Sequence, residues 1–303
     1  MIRTGFVALL VAFLATAAVA ADAPPKVAVS LKPLHALAAA VMEGVGTPLL
    51  IVQGAASEHA YALKPSEAAS LEDADAIFWV GPVMESYLIR PLAALPKHAR
   101  LVALIDLPPL TRLSRRAGGL FEQDDDAPGP VTGPDGHIWL DPQNARIIAQ
   151  AMTQTLSAID TAHAVRYAAN EARLDADLVA LDAELRRRLT PLRTKPFIVF
   201  HDAYHYLEAR YGLTVLASIT VDPTLAPSAH RLGAIRTRIK ARGALCVFAE
   251  PQFEPRLLPV LVEGTAARTG VLDPLGASLV PGREAYFTLM RNLAAALETC
   301  LSR

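Results

Sequence analysis

Eight histidines stand in this chain of 303 residues. Imidazole is the one side chain that near neutral pH can both carry a proton and bind a transition metal. Three of the eight follow apolar runs or close them: His59 lies in GAASEHAYALKPSE after PLLIV, His137 opens HIWLDP after an acidic stretch, and His201 ends the run in FIVFHDAY. Open α/β sheets bind ligands beyond the carboxyl ends of their strands, so histidines placed there can converge from distant parts of a chain. Three neutral imidazoles meeting in a cleft would make a nitrogen-rich site suited to Zn2+, completed by an oxygen ligand or a water. Spacing alone leaves a second reading open, that each is a hydrogen-bonded loop histidine, because none of the compact zinc patterns is present. His205 is four residues beyond His201, a metal spacing on a helix, but His201 belongs to a strand end. His205 therefore reads with His35, His98, His163 and His230 as a surface or packing residue. Glu250 and Tyr61 could line the cleft or be structural, and Trp139 and Phe248 read as core.

The elements that must position these residues follow from hydrophobic period. VAVSL (Val27 to Leu31), PLLIV (Pro48 to Val52), AIFWV (Ala76 to Val80) and LVALI (Leu101 to Ile105) read as strands, with helices at about Leu34 to Met42, Pro65 to Asp73 and Val83 to Leu92. The second half repeats the plan with strands at Phe197 to His201, Thr214 to Ile219, Ala244 to Glu250 and Thr269 to Leu275. Between the halves, Thr161 to Thr190 carries leucines at steps of three and four with no Gly or Pro and reads as one long helix. Its Asp182–Arg186 and Glu184–Arg188 pairs read as a solvated face. Leu113 to Gly136, with Asp124, Asp125 and Asp126, has no apolar period and reads as a mobile surface loop. The expected fold is α/β, two lobes each with a four-stranded mostly parallel sheet flanked by helices, joined by one rigid helix, with the metal site in the cleft between lobes. The divisions are a leader at 1–20, a first lobe at 21–160, a connecting helix at 161–190 and a second lobe at 191–303.

The leader is inferred from Arg3, an apolar run, and the small-x-small end Ala18-Val19-Ala20, which together make a secretory signal peptide and place the mature chain outside the cytoplasm. Charge is balanced, Lys+Arg 29 against Asp+Glu 30, which argues against nucleic acid as a partner. In an oxidising compartment the two cysteines, Cys246 and Cys300, can pair, closing a loop of about 54 residues, or remain as two buried thiols.

Taken in order, GAASEHAYALKPSEAASLEDADAIFWVGPVMES, HIWLDPQNA, FIVFHDAY, CVFAEPQF and LDPLG resemble the successive signatures of the ZnuA-like solute-binding receptors of zinc ABC importers. The resemblance spans nearly the whole mature chain. It implies a periplasmic, monomeric receptor that is not an enzyme and delivers Zn2+ to an inner-membrane ABC permease with a cytoplasmic ATPase. It also implies His59, His137 and His201 as ligands, with Glu58 ahead of water as the fourth. Asp273 matches a ligand of the sibling manganese receptors, and is read here as a further ligand candidate or, by a small margin, as a supporting acceptor or loop cap. Manganese receptors carry a carboxylate where His201 stands, so imidazole at that position favours zinc. Cys246 and Cys300 match the paired cysteines of close members. Two departures stand out: the acidic loop has no histidine before His137, and Ala60 replaces an aspartate after the first histidine, so His59 must be oriented by another group. The rival readings are a manganese receptor and a secreted zinc hydrolase. With ordinary imidazoles, affinity would fall as pH drops through about 6.

Overall fold

The computed structural model describes residues 23–116, 133–220, 223, 225–253 and 258–302. The expected leader and the aspartates of the acidic segment lie outside the described residues.

The first half runs β1 (Val27–Val29), α1 (Lys32–Val41), β2 (Leu49–Leu50), α2 (Pro65–Glu72), β3 (Ala76–Trp79), α3 (Ile89–Ala94) and β4 (Arg100–Ala103). The strands form one parallel sheet in the order β2-β1-β3-β4. All three residues of β1 are buried, as a central strand covered on both faces requires. The helix expected from Val83 starts later. A turn folds Met84 and Glu85 back onto the Gly81 carbonyl, a 3-10 turn covers Ser86–Leu88, and only then does α3 begin. Pro91 sits in the first turn of α3, where its missing N–H costs nothing.

A helix that hydrophobic period had not revealed follows His137: α4 (Pro142–Ile159). Its start is nonetheless written in the sequence, since Asp141 caps it by accepting from the Gln143 N–H and Pro142 occupies the first turn. The connector is α5 (Ala164–Leu189), preceded by a 3-10 turn at Thr161–His163 and followed by another at Thr190–Leu192. Its 26 residues span about 39 Å. Both expected i,i+4 pairs, Asp182–Arg186 and Glu184–Arg188, form, and Arg186 is exposed, but the face as a whole is not a solvated one. Asp182 is buried and accepts from Arg210 and from the Tyr211 hydroxyl, Glu184 pairs with Arg291, and Arg188 pairs with Glu298. Asn170, nearer the other end, donates to the carbonyls of Val41 and Glu43. The helix lies against both lobes, so charges that face water in an isolated helix here meet partners on its neighbours.

The second half supplies β5 (Phe197–Val199), α6 (His205–Tyr211), β6 (Val215–Ser218), α7 (Ala229–Arg242), β7 (Cys246–Ala249), α8 (Leu258–Val262), β8 (Arg268–Val271) and α9 (Glu284–Leu301). Its sheet is parallel, in the order β6-β5-β7-β8. The period of two in β5 and β7 divides the packing. Phe197, Val199, Cys246 and Phe248 join a main core that continues through α5 and α9 into the first half, whereas Ile198, Val247 and Ala249 face a smaller core with Ile235, Ile239 and Leu261. Because the main core runs through both lobes without a break, their relative position is set by close packing. Among the described residues no helix is long and apolar enough to cross a membrane.

Cys246 in β7 and Cys300 in α9 form a disulfide across 54 residues. The chain-entropy model puts its contribution at about 4 kcal/mol. Replacing both cysteines with alanine should lower the unfolding free energy by that order, read as a lower urea midpoint, while leaving the far-ultraviolet circular dichroism unchanged. An unchanged midpoint would show that the cross-link adds nothing to the packed core.

Candidate metal centre

Parallel strands that share a sheet end at the same edge, so the residues just beyond them are neighbours in space however far apart they lie in sequence. His201 stands at the carboxyl end of β5 and Glu250 at that of β7, adjacent strands, and their side chains meet: His201 Nδ1 lies 2.6 Å from Glu250 Oε2. The Tyr204 hydroxyl donates to the other oxygen of Glu250. His137 is held in the same manner, its Nδ1 2.7 Å from Asp135 Oδ1, which also accepts the His137 backbone N–H. Asp135 in turn is fixed by its N–H to the Leu113 carbonyl and by the Tyr206 hydroxyl on its own carbonyl. Glu58 and His59 come from the segment between β2 and α2. Tyr61 steadies that segment by donating to Glu67 in α2, a structural tie and no part of the converging set.

With each Nδ1 held by a carboxylate, the Nε2 atoms of His137 and His201 face each other at 3.2 Å. Glu58 Oε1 lies 3.6 Å from His137 Nε2, 3.7 Å from His201 Nε2 and 3.9 Å from His59 Nε2. Four atoms bound tetrahedrally to Zn2+ at 2.0–2.1 Å would sit about 3.3 Å apart, so these separations are close to the edges of such a tetrahedron. Glu58, His59, His137 and His201 are the one group of three or more potential metal-binding side chains that comes together among the described residues. Both oxygens of the fully buried Glu58 and the Nε2 of His59 lack any hydrogen-bond partner. Glu58 thus meets its neighbouring imidazoles only at 3.6–3.9 Å, and a cation at the centre of these atoms would give the buried carboxylate a direct partner.

The electrostatics agree. Burial works against the charge on Glu58, yet the surrounding imidazoles of His137, His59 and His201 hold its carboxyl down at about 2. Burial also opposes charge on His137, but the Asp135 and Glu58 carboxylates outweigh it and lift the imidazolium up to about 10. His201 is raised against its burial by Glu250. His59, where burial dominates over Glu58, is pushed down to about 3 and so is already neutral. The pH window expected from ordinary histidines therefore moves upward, because metal must displace protons that the carboxylates retain on the other two rings. His59 packs edge-on against the His201 ring, with centroids 5.3 Å apart, and tilted against His137 at 5.4 Å. A cavity of about 40 Å3 opens beside the histidines, with Met84, Arg115, Arg116 and Asp202 in its wall.

Asp273 is not among the converging residues. Its carboxylate accepts from the N–H groups of Leu275, Gly276 and Ala277 and from Gln252, and so caps a turn in which Gly276 adopts φ 68°. His205 opens α6 with its Nδ1 3.9 Å from Asp135 Oδ2, outside the group, and His35 bonds the Pro48 carbonyl. Trp139 and Phe248 are buried core. Asp135 was not singled out from the sequence. The only signal for it is an acid two residues before a histidine across a glycine, a spacing that many turns share.

Residues 27–300 match the family model described as zinc-uptake complex component A, periplasmic. The high-affinity zinc uptake system protein ZnuA of Brucella suis biovar 1 (strain 1330) is 46% identical over 306 residues, covering 91% of this chain and 92% of that protein. A crystal structure of ZnuA matches with TM-score 0.79 at 26% identity, over 92% of this chain and 99% of that one. The structure of a ZnuA variant with residues 138–173 deleted and zinc bound matches with TM-score 0.78 at 25% identity, over 92% and 99%.

Carboxylates that hold a metal-binding imidazole by its far nitrogen commonly contribute 10- to 100-fold to affinity. Asp135→Asn and Glu250→Gln should each weaken zinc binding by about that factor in a chelator competition titration, with the fold retained. Affinity unchanged in both would mean that the rings are oriented by packing alone.

Proposed function

The chain belongs to the ZnuA family of zinc-uptake components, and on that premise we propose that its cleft captures one Zn2+ through His59, His137, His201 and Glu58. It is a zinc-binding receptor of a high-affinity uptake system, and zinc is its cargo. The observation that carries the ligand assignment is the convergence of four ligand atoms within 4.8 Å of one another, with the oxygens of Glu58 and the Nε2 of His59 free of any hydrogen bond. Three imidazoles and one carboxylate suit Zn2+, whereas Mn2+ favours an oxygen-rich, six-coordinate shell. Glu58 fills the fourth position, the place that a catalytic zinc keeps open for water or substrate, which favours binding over hydrolysis.

The mechanism is exchange. Neutral His59 and ionised Glu58 meet the arriving cation, and its waters are replaced by nitrogen as protons leave the His137 and His201 rings. In the cell, the leader at 1–20 is removed, and the mature monomer, with lobes at 21–160 and 191–303 joined by 161–190, works in the periplasm. From there it passes zinc to an inner-membrane ABC permease powered by a cytoplasmic ATPase.

Titration of metal-stripped protein should find one tight Zn2+ per chain, much weaker Mn2+, and no hydrolysis of ester or peptide substrates. His59→Ala, His137→Ala or His201→Ala should each lower affinity by orders of magnitude, and Glu58→Ala by less. A variant that still binds as tightly as the parent removes that residue from the site.

Because His137 and His201 hold protons above the ordinary histidine range, the sign of the pH effect is fixed: affinity rises with pH and falls as pH drops. The rise should continue through neutrality, with His137 contributing until about pH 10. Calorimetry in buffers of different ionisation enthalpy should detect proton release on zinc binding at pH 7. Binding without proton release there would show that the rings are neutral before metal arrives.

A further inference from the structure

The ligand atoms come from two lobes, and the distance between them depends on what holds the lobes together beside the site. Glu58 and His59 lie on the first lobe, and His137 leads into α4, whereas His201 with its partner Glu250 belongs to the second sheet. On one flank, buried Lys32 at the start of α1 donates to the carbonyls of Gly276 and Ala277 at 2.6 and 2.8 Å, and Trp139 Nε1 donates to the Pro274 carbonyl. On the other flank, in the cavity wall, stands Arg116.

Its Nε lies 2.8 Å from Asp202 Oδ2, its Nη2 bonds Asp202 Oδ1, and its Nη1 lies 2.7 Å from Glu208 Oε2. The backbone beside Arg116 is tied to the segment that carries His137: Ser114 bridges Pro134, the Arg115 N–H donates to Gly133, and the Asp135 N–H donates to Leu113. Asp202 is the residue immediately after His201. One guanidinium thus spans from the mount of His137 to the neighbour of His201. The side chains are only 17–19% exposed, so solvent screens the contact weakly. Its fork matches one carboxylate at two points while reaching a second, which a lysine ammonium cannot reproduce.

We infer that Arg116 is a positioning residue that clamps the His137 segment against His201 through Asp202 and Glu208 and thereby slows the escape of bound metal. Zinc leaves only when imidazoles drawn from the two sides move apart, and the Arg116 contacts must loosen for that movement at the cavity wall. Capture, in contrast, can begin at His59, which lines the cavity and is partly exposed. The clamp therefore acts on release far more than on association. The inference rests on the four-residue site proposed above.

The test is stopped-flow release of Zn2+ from the full chain into excess chromophoric chelator, comparing the parent with Arg116→Ala, Arg116→Lys, Asp202→Asn and the double variant Arg116→Ala/Asp202→Asn. Loss of partly buried charge-assisted bonds should speed release by about 10- to 100-fold in Arg116→Ala. The association rate should stay within about threefold, a small fraction of the change in affinity. Arg116→Lys should recover only part of the loss, and the double variant should release no faster than the faster single. The visible spectrum of the Co2+-loaded Arg116→Ala protein should keep the tetrahedral bands of the parent, showing that the ligands themselves are intact. Release within twofold of the parent, fully additive single effects, or a collapsed Co2+ spectrum would each overturn the clamp. Failure of the parent chain itself to bind Zn2+ would instead overturn the site assignment, and the clamp with it.

Discussion

Two imidazole nitrogens face each other across 3.2 Å in the interior, each ring having committed its other nitrogen to a buried carboxylate. A third ring and a fully buried glutamate that makes no hydrogen bond complete the cluster. Lone pairs and a carboxylate aimed at one point are mutually repulsive without a cation or protons between them. Much of the surrounding structure can be read as the means of holding them there. Asp135 and Glu250 orient the two rings, Tyr204 holds the Glu250 carboxylate and Tyr206 the Asp135 backbone, and the main core behind them gives the arrangement its rigidity.

The architecture suits that task. The second sheet delivers His201 and Glu250 at its carboxyl edge and the first places Glu58 and His59 in the segment after β2, while His137 comes from the turn that leads into α4. The connecting helix is bonded to both lobes, through Asn170 at one end and Asp182 and Arg188 at the other. A connector packed along its length permits only small displacements, and small displacements are enough, since metal–ligand bonds of about 2 Å are lost when ligand atoms move apart by an ångström or so. Affinity and release can therefore be governed by side-chain contacts at the cleft rather than by large swings of the lobes.

Asp273 illustrates how the same residue type can serve metal or backbone. Its carboxylate satisfies three consecutive N–H groups of a turn and an amide, leaving it committed. The carbonyls of that turn receive Lys32 from the first lobe. Asp273 therefore supports the junction of the lobes, and the converging cluster holds three imidazoles and one carboxylate.

Much of this was legible in the order of residues. Hydrophobic period located the eight strands among the described residues and the connector to within a few residues, and His201 stands at a strand end as read, whereas His59 lies well past β2 and His137 in the turn before α4. Glu58 and Asp273 became candidates through resemblance to a family, since nothing in their own neighbourhoods distinguishes a ligand from a cap. What the residue order left undecided depends on contacts between distant segments. Asp135 gains its role because Tyr206 and Leu113 anchor it beneath His137, and Arg116 gains its partners 86 and 92 residues away. Asp182 is a paired interior charge only because α6 packs on that face of the connector. Sequence alone determined which side chains could bind zinc and which elements carry them. Tertiary structure decided which carboxylates touch which rings, and hence how many protons the site holds, because desolvation and Coulomb interaction depend on distances through space that no local pattern records.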